Sequence, residues 1–526
     1  MTYFINQCIG CFHRERKARG VRLACFIALL AIFGARLGFA QDVETHIPDN
    51  LINGMRGIEL SRRIFQNERD MIRRIRMYRP IVETYIQSLW PDTTAQVPLD
   101  DVYFLRKVDL YKYFAPEDDA YATLFGASKS SRQLLNDNGQ RWEVYPDGFV
   151  YMLFVDSQDF DADTYQLTYL KSESLGEISC FVFTVSPIKK KAFGRFQGSI
   201  WVESTGLRIV KVEGTFEGVK HPGLKTRLSL FGGSMGIFFH FSCGREQIAP
   251  DLWVPVYVTI DDNMGWKAVG GDGTTDIHYK GRTVVWGYSY IGSFQDRQLP
   301  VGDAVGDPGA EVVGLEKDGL VVPFGGVERY LNSVISRVAE RSHLNLPTVT
   351  CRILATTPVE MFHIDNTIIV SRGLLEMVPD ESTLEVLLTH ELAHIAVQTT
   401  QSKQAVLVQS LFDYGRSEEF PGLGIRYTAE EERKASALSC NILSNSASSL
   451  ALSRAADFVE QLARVYRQIP NLTTARFGVG LIENGRAVHD LSSCGRTDQS
   501  MPQASSLQLR GRYTVDASTG ELHPIP

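Results

Sequence analysis

The chain has little that would suit it to nucleic acid or to repeated crossing of a membrane. Its 54 Lys and Arg are outnumbered by 61 Asp and Glu, a formal balance of −7. The concentrated basic surface that phosphate binding needs is therefore missing, and nucleic acid is excluded as a partner. Beyond residue 40 no apolar run is long enough to span a bilayer, so no transmembrane span is expected in the mature chain. Cysteine is sparse and never paired at metal-knuckle spacing: Cys8, Cys11 and Cys25 lie near the N-terminus, while Cys180, Cys243, Cys351, Cys440 and Cys494 are far apart. That odd later set leaves at least one thiol unpaired within a monomer, and buried free thiols stand beside any particular disulfide as readings.

What is present begins with a targeting pattern. Arg14, Arg16, Lys17, Arg19 and Arg22 precede an apolar run from Leu23 to Phe33, and Gly38-Phe39-Ala40 offers a small-x-small cleavage site before Gln41. Basic, apolar, small is the order of a secretory signal, so residues 1–40 are expected to direct export to the periplasm or outside the cell, with an uncleaved signal anchor as the alternative. The 526 residues exceed one ordinary hydrophobic core, which implies two or three domains. From residue 41 to 99 the apolar residues Leu60, Ile64, Phe65, Met71, Ile72, Ile75 and Met77 recur near helical spacing among arginines, and a helical segment is expected. Residues 100–296 carry short β-branched and aromatic runs, among them Cys180–Val185, Gly198–Val202, Leu207–Val212, Ile237–Phe241, Trp253–Val258 and Thr283–Tyr288. Long helical patterns are absent between them, which predicts antiparallel pairing. Gly, Pro and Asp crowd the start of 297–325, the expected linker; 326–470 reads as a mostly helical domain and 471–526 as a C-terminal tail. The fold class is thus α+β multidomain: an N-terminal helix and antiparallel β-rich domain, then a mostly helical domain.

The chemistry concentrates in the helical part. Ser382-Thr383-Leu384-Glu385 fits a capping box, which predicts a helix start at Ser382. Leu384, Leu387, Leu388, Leu392 and Ile395 form the apolar face of that helix. His390 and His394 are four residues apart and project from one side, where two imidazoles can grip a zinc ion. Glu391 is placed to act on water rather than to bind the metal. A catalytic zinc needs a third protein ligand and an open position. Glu430, Glu431 and Glu432 open the next helical pattern, and spacing alone does not choose among them.

Two stretches resemble known families. From Tyr330-Leu331-Asn332-Ser333-Val334, through Ile368-Ile369-Val370-Ser371-Arg372-Gly373-Leu374-Leu375, to His390-Glu391-Leu392-Ala393-His394, the chain resembles the HtpX and CAAX-prenyl-protease type of zinc metalloendopeptidase, with its Oma and BepA-like members. The resemblance covers about 326–445. It implies a zincin-type peptidase domain and one zinc per chain held by His390, His394 and Glu432, since the family's later Glu-x-x-Ala-Asp motif places its Glu on Glu432 and its Ala on Ala435. The family's Asp falls on Ser436, and Met361-Phe362-His363-Ile364-Asp365-Asn366 replaces the usual residues of the substrate edge. Separately, Gly194–Val202 followed by Leu207–Lys211 resembles the LolA/LolB/MucB-like fold over about 179–290, which implies a surface for lipid, lipoprotein or extended polypeptide.

Together these features lead to a zinc-dependent metalloendopeptidase acting on extracytoplasmic, misfolded or envelope polypeptides, with Glu391 as general base. His489, followed by Asp490, and His363 are the candidates for donating to the oxyanion. The alternative is a catalytically weak lipoprotein or lipid carrier, or an envelope sensor, with a residual zinc site.

Overall fold

Helix α1 (Gly57–Ile75) buries Leu60, Ile64, Phe65, Met71, Ile72 and Ile75 and turns its arginines outward, as its periodicity predicts. In the computed structural model the described residues are 47–48, 54–89, 98–110, 133–137, 140–144, 150–188, 195–217, 224–226, 236–237, 240–262, 278–290, 310–342, 346–397, 425–446, 448–488, 494, 513–515 and 522–524. The expected signal segment and His489 lie outside them. The helical segment expected up to residue 99 stops at Ile75. Tyr78–Leu89 is instead a strand, β1, buried along nearly its whole length. Pro80 cannot continue a helix, and Val82, Thr84, Tyr85 and Ile86 favour a pleated surface.

The strands that follow are β2 (Pro98–Lys107), β3 (Gln133–Asp137), β4 (Gln140–Val144), β5 (Tyr165–Leu175), β6 (Ile178–Pro187), β7 (Arg195–Glu203), β8 (Ile209–Glu217), β9 (Leu224–Thr226), β10 (Gly236–Ile237), β11 (Phe241–Ala249), β12 (Leu252–Asp262) and β13 (His278–Tyr290). Nine of them form one antiparallel sheet in the order β2-β1-β13-β12-β11-β8-β7-β6-β5; β10, β9, β4 and β3 form a smaller one. The run Ile237–Phe241, expected as one strand, touches the end of β10 and the start of β11. Helix α1 is pinned to the large sheet by a buried two-pronged ion pair, Arg245 to Glu68, at 2.6 and 2.7 Å.

The C-terminal region begins earlier than its sequence suggests. Helix α2 (Ala310–Lys317) lies in the second half of the expected linker, and Leu315, Leu320, Val321 and Val322 are fully or almost fully buried there. Helix α3 (Gly326–Ser342) follows. Strands β14 (Thr350–Leu354), β15 (Met361–Ile364) and β16 (Thr367–Ser371) form a sheet in the order β14-β16-β15, with β15 at its edge. Helices α4 (Arg372–Met377), α5 (Glu381–Ala396), α6 (Ala429–Ser446), α7 (Ser449–Val465) and α8 (Pro470–Thr473) complete the helical part. The first part of the expected tail is packed: Leu472, Phe477, Leu481 and Ile482 belong to the core.

Sheet and helices share that core. Ile81, Glu83 and Tyr85 alternate along β1 and so share a face. Ile81 and Tyr85, with Tyr103, Leu105 and Trp286, join one buried cluster with Leu331, Ile353, Phe362 and Leu387 of the helical region. Glu83 enters the same junction as a charge. It accepts from Tyr103 Oη and Thr357 Oγ1 at 2.9 Å each, from the Thr357 amide, and from the buried Arg372 guanidinium. Arg372 can sit there because the next residue has no side chain: a Cβ on Gly373 would lie 1.7 Å from the Thr357 carbonyl oxygen. Alongside, Asp101 of β2 accepts the amides of Asn471 (3.1 Å) and Leu472 (2.9 Å), tying α8 to the sheet.

A second buried carboxylate, Glu360, fixes the edge of the small sheet. It accepts the successive amides of Arg476, Phe477 and Gly478 at 3.2, 2.9 and 3.0 Å. The Met361 amide donates to Val479 at 3.0 Å, so residues 476–479 run beside β15. Burial outweighs those hydrogen bonds and pushes the Glu360 carboxyl up from 4.5 to about 7.

Two outcomes follow for stability. Arg372→Leu strands a buried carboxylate, and it is expected to lower the unfolding free energy by about 3–5 kcal/mol, read from urea midpoints. For Glu360 the folded pKa lies above the unfolded one, so its stabilising share is complete below pH 4.5 and is lost as pH rises to about 7. The stability of the natural chain relative to Glu360→Gln should therefore fall by roughly 3 kcal/mol across that window and be flat above it.

Candidate metal and catalytic site

The site is built on α5. Its N-cap is Asp380, two residues before the Ser382 start predicted from the capping box. Asp380 accepts from the Thr383 amide at 2.8 Å and from Ser382 Oγ at 2.7 Å. Glu385, which the predicted box needs as its reciprocal partner, is instead paired with Arg341 at 2.7 Å. The helix is also more enclosed than a one-sided apolar pattern implies. From Thr383 to Ile395 every residue except Glu385 is buried, which makes α5 a core helix with its histidines inside.

Helix α6 brings the third group. Thr428 and Glu431 form a reciprocal capping box at its start: the Glu431 amide donates to Thr428 Oγ1 at 3.2 Å, and the Thr428 amide donates to Glu431 Oε2 at 2.7 Å. Glu430 points outward and pairs with Lys434 at 2.8 Å. Of the three consecutive glutamates, only Glu432 turns toward α5. Its Oε1 lies 3.0 Å from His390 Nε2 and its Oε2 3.1 Å from His394 Nε2, while the two imidazole nitrogens are 3.2 Å apart.

These separations fit a metal ion. Ligand atoms on a tetrahedral zinc with bonds of 2.0–2.1 Å are separated by about 3.3 Å along each edge. Two neutral imidazoles and one carboxylate, drawn from two helices, are also the donor set of a catalytic rather than a structural zinc. Ser436, one turn along α6, places its Oγ 3.4 Å from Glu432 Oε1, at the limit of a hydrogen bond.

Glu391 is fully buried on the same helix. Its Oε2 accepts from Tyr427 Oη at 2.9 Å and lies 3.1 Å from His363 Nδ1. Tyr427 Oη and His363 Nδ1 are 2.9 Å from each other. The Tyr427 ring stacks on His394 with centroids 3.9 Å apart and planes at 21°. Burial, then the neighbouring Glu391 charge, raises the Tyr427 phenol well above its ordinary range. The fold thus gathers His390, Glu391, His394, Glu432 and His363. Tyr427 was missed from sequence, because an aromatic residue just before a helix cap is ordinary and carries no motif. The helix bearing Glu432 is further tied by a disulfide from Cys440 to Cys494; Cys180, Cys243 and Cys351 are buried free thiols.

Residues 327–466 match peptidase family M48. No curated protein matches the sequence. Among solved structures, the chain is similar to a LolA superfamily protein from Nitrosomonas europaea, at 12% identity and a TM-score of 0.22, over 45% of this chain and 96% of that one. The matched segment spans α3 to α7 and contains both histidines, Glu391 and Glu432. The segment that is similar to peptidase family M48 is thus the one in which His390, His394 and Glu432 converge.

Proposed function

We propose that this protein is a metalloendopeptidase in which His390, His394 and Glu432 hold one zinc ion and Glu391 is the general base. Its substrates on this reading are extended or misfolded polypeptides outside the cytoplasm. The observation that carries the reading is the convergence of two imidazole nitrogens and one carboxylate at 3.0–3.2 Å, on the helix that also holds Glu391. The extracytoplasmic address is supported by the basic, apolar, small order of residues 14–40.

Bound zinc supplies Lewis-acid polarisation of the scissile carbonyl and makes water more acidic. Glu391 takes the proton from the attacking water and returns it to the leaving amine. The low-polarity surroundings of α5 strengthen each of these electrostatic contacts. Of the two histidines expected to donate to the oxyanion, His363 stands against Glu391. Ser436 gives Glu432 weaker support than a charged partner would, which favours modest metal affinity. That feature also supports the second reading, a carrier or sensor with a residual site.

The test separates the two. The purified chain is expected to hold about one zinc per molecule near neutral pH, and Glu432→Ala to lose most of it. Glu391→Gln should keep the metal and abolish cleavage of fluorescein-labelled casein. A chain that takes up no zinc on loading would sink the peptidase reading; zinc binding without any cleavage would transfer support to the carrier.

A further inference from the structure

We infer that Tyr427 and His363 are positioning residues that lock the carboxylate of Glu391 in place, an inference that rests on the base role proposed for Glu391. The three side chains come from separate elements: His363 from the edge strand β15, Glu391 from α5, and Tyr427 from the residue before the cap of α6. Their polar atoms form a closed triangle with sides of 2.9, 2.9 and 3.1 Å.

Hydrogen accounting fixes who donates. An ionised carboxylate only accepts, and a phenol has one proton. Tyr427 gives that proton to Glu391 Oε2. An unprotonated Nδ1 on His363 would then set its lone pair against the carboxylate at 3.1 Å. Nδ1 therefore carries the hydrogen, and His363 is a second donor toward Oε2. The His363 amide, 3.4 Å from Tyr427 Oη, holds the phenol from the β15 side. In this tautomer Nε2 carries no proton and can only accept.

Two donors on one oxygen remove the freedom of the carboxylate to rotate about its last bond. A base held in one orientation spends little of each encounter in unreactive geometries. Tyr427 does more than hold the base. Its ring lies flat on His394, so one side chain sets the spacing between the base and a metal-ligating imidazole. A tyrosine present only to fill space would need its ring there but not its hydroxyl, and that difference is what Tyr427→Phe isolates.

The experiment compares the natural chain, Tyr427→Phe, His363→Gln and Glu391→Gln for zinc content and for kinetics on fluorescein-labelled casein. Tyr427→Phe keeps the ring and is expected to hold zinc like the natural chain, to leave KM within about twofold, and to lose roughly 10–100-fold in kcat, the usual scale for a supporting hydrogen bond. His363→Gln, whose side chain can still donate, should fall less. Unchanged or increased kcat in Tyr427→Phe, with Glu391→Gln inactive, overturns the inference and leaves the peptidase reading standing. Loss of zinc together with activity in Tyr427→Phe also overturns it, since the residue would then be structural. An active Glu391→Gln removes the base role and the inference with it.

Discussion

The buried carboxylate of Glu83 is the constraint on which the arrangement of this protein turns. A charge in the middle of β1 would be costly in an apolar junction, and it is retained because Tyr103, Thr357 and Arg372 all donate to it. Those partners come from the sheet, from the loop before β15 and from the start of α4. One side chain therefore fixes the sheet against the segment that leads into the site. Asp101 repeats the device a strand away, gripping the amides that open α8. The two regions are joined by directional contacts inside a shared apolar core, so their relative placement is specified rather than merely permitted.

The same economy shapes the candidate site. Glu360 gathers three consecutive amides and sets residues 476–479 along β15, and β15 in turn delivers His363 to Glu391. From Thr383 to Ile395 helix α5 is buried at every residue but Glu385, so packing holds its two histidines in place. Helix α6 then needs only one residue facing the correct way, and the capping box of Thr428 and Glu431 determines which of three glutamates that is.

Much of this was legible in the sequence, for identifiable reasons. His390 and His394 stand out because a spacing of four is local and survives any tertiary arrangement. The antiparallel strands between β6 and β8 announce themselves through β-branched runs broken by turns. Strand β1 was hidden because arginines and apolar residues before it continue a helical rhythm almost to its first residue, and only Pro80 marks the break. The role of α2 was hidden because a Gly- and Pro-rich approach reads as linker, whereas burial of Leu315 and Leu320 is decided by the sheet they meet. Asp380 caps the helix two residues before the predicted start, and Glu385 pairs instead with Arg341, distant in sequence. Tyr427 belongs to the same class: its importance lies in what it touches across the fold, which no local pattern encodes.

The disulfide between Cys440 and Cys494 has a consequence for the unfolded chain. It closes a loop across a sequence separation of 54 residues. On the chain-entropy view, a loop of that size removes freedom from the denatured ensemble worth roughly 4 kcal/mol. The loop begins on the helix that carries Glu432 and takes in α7, α8 and the segment beside β15. Even an unfolded molecule thus keeps the end of α6, α7, α8 and residues 476–479 close to one another. The covalent bond never touches the site, yet it holds the far end of the helix bearing Glu432 near the segment that runs beside β15.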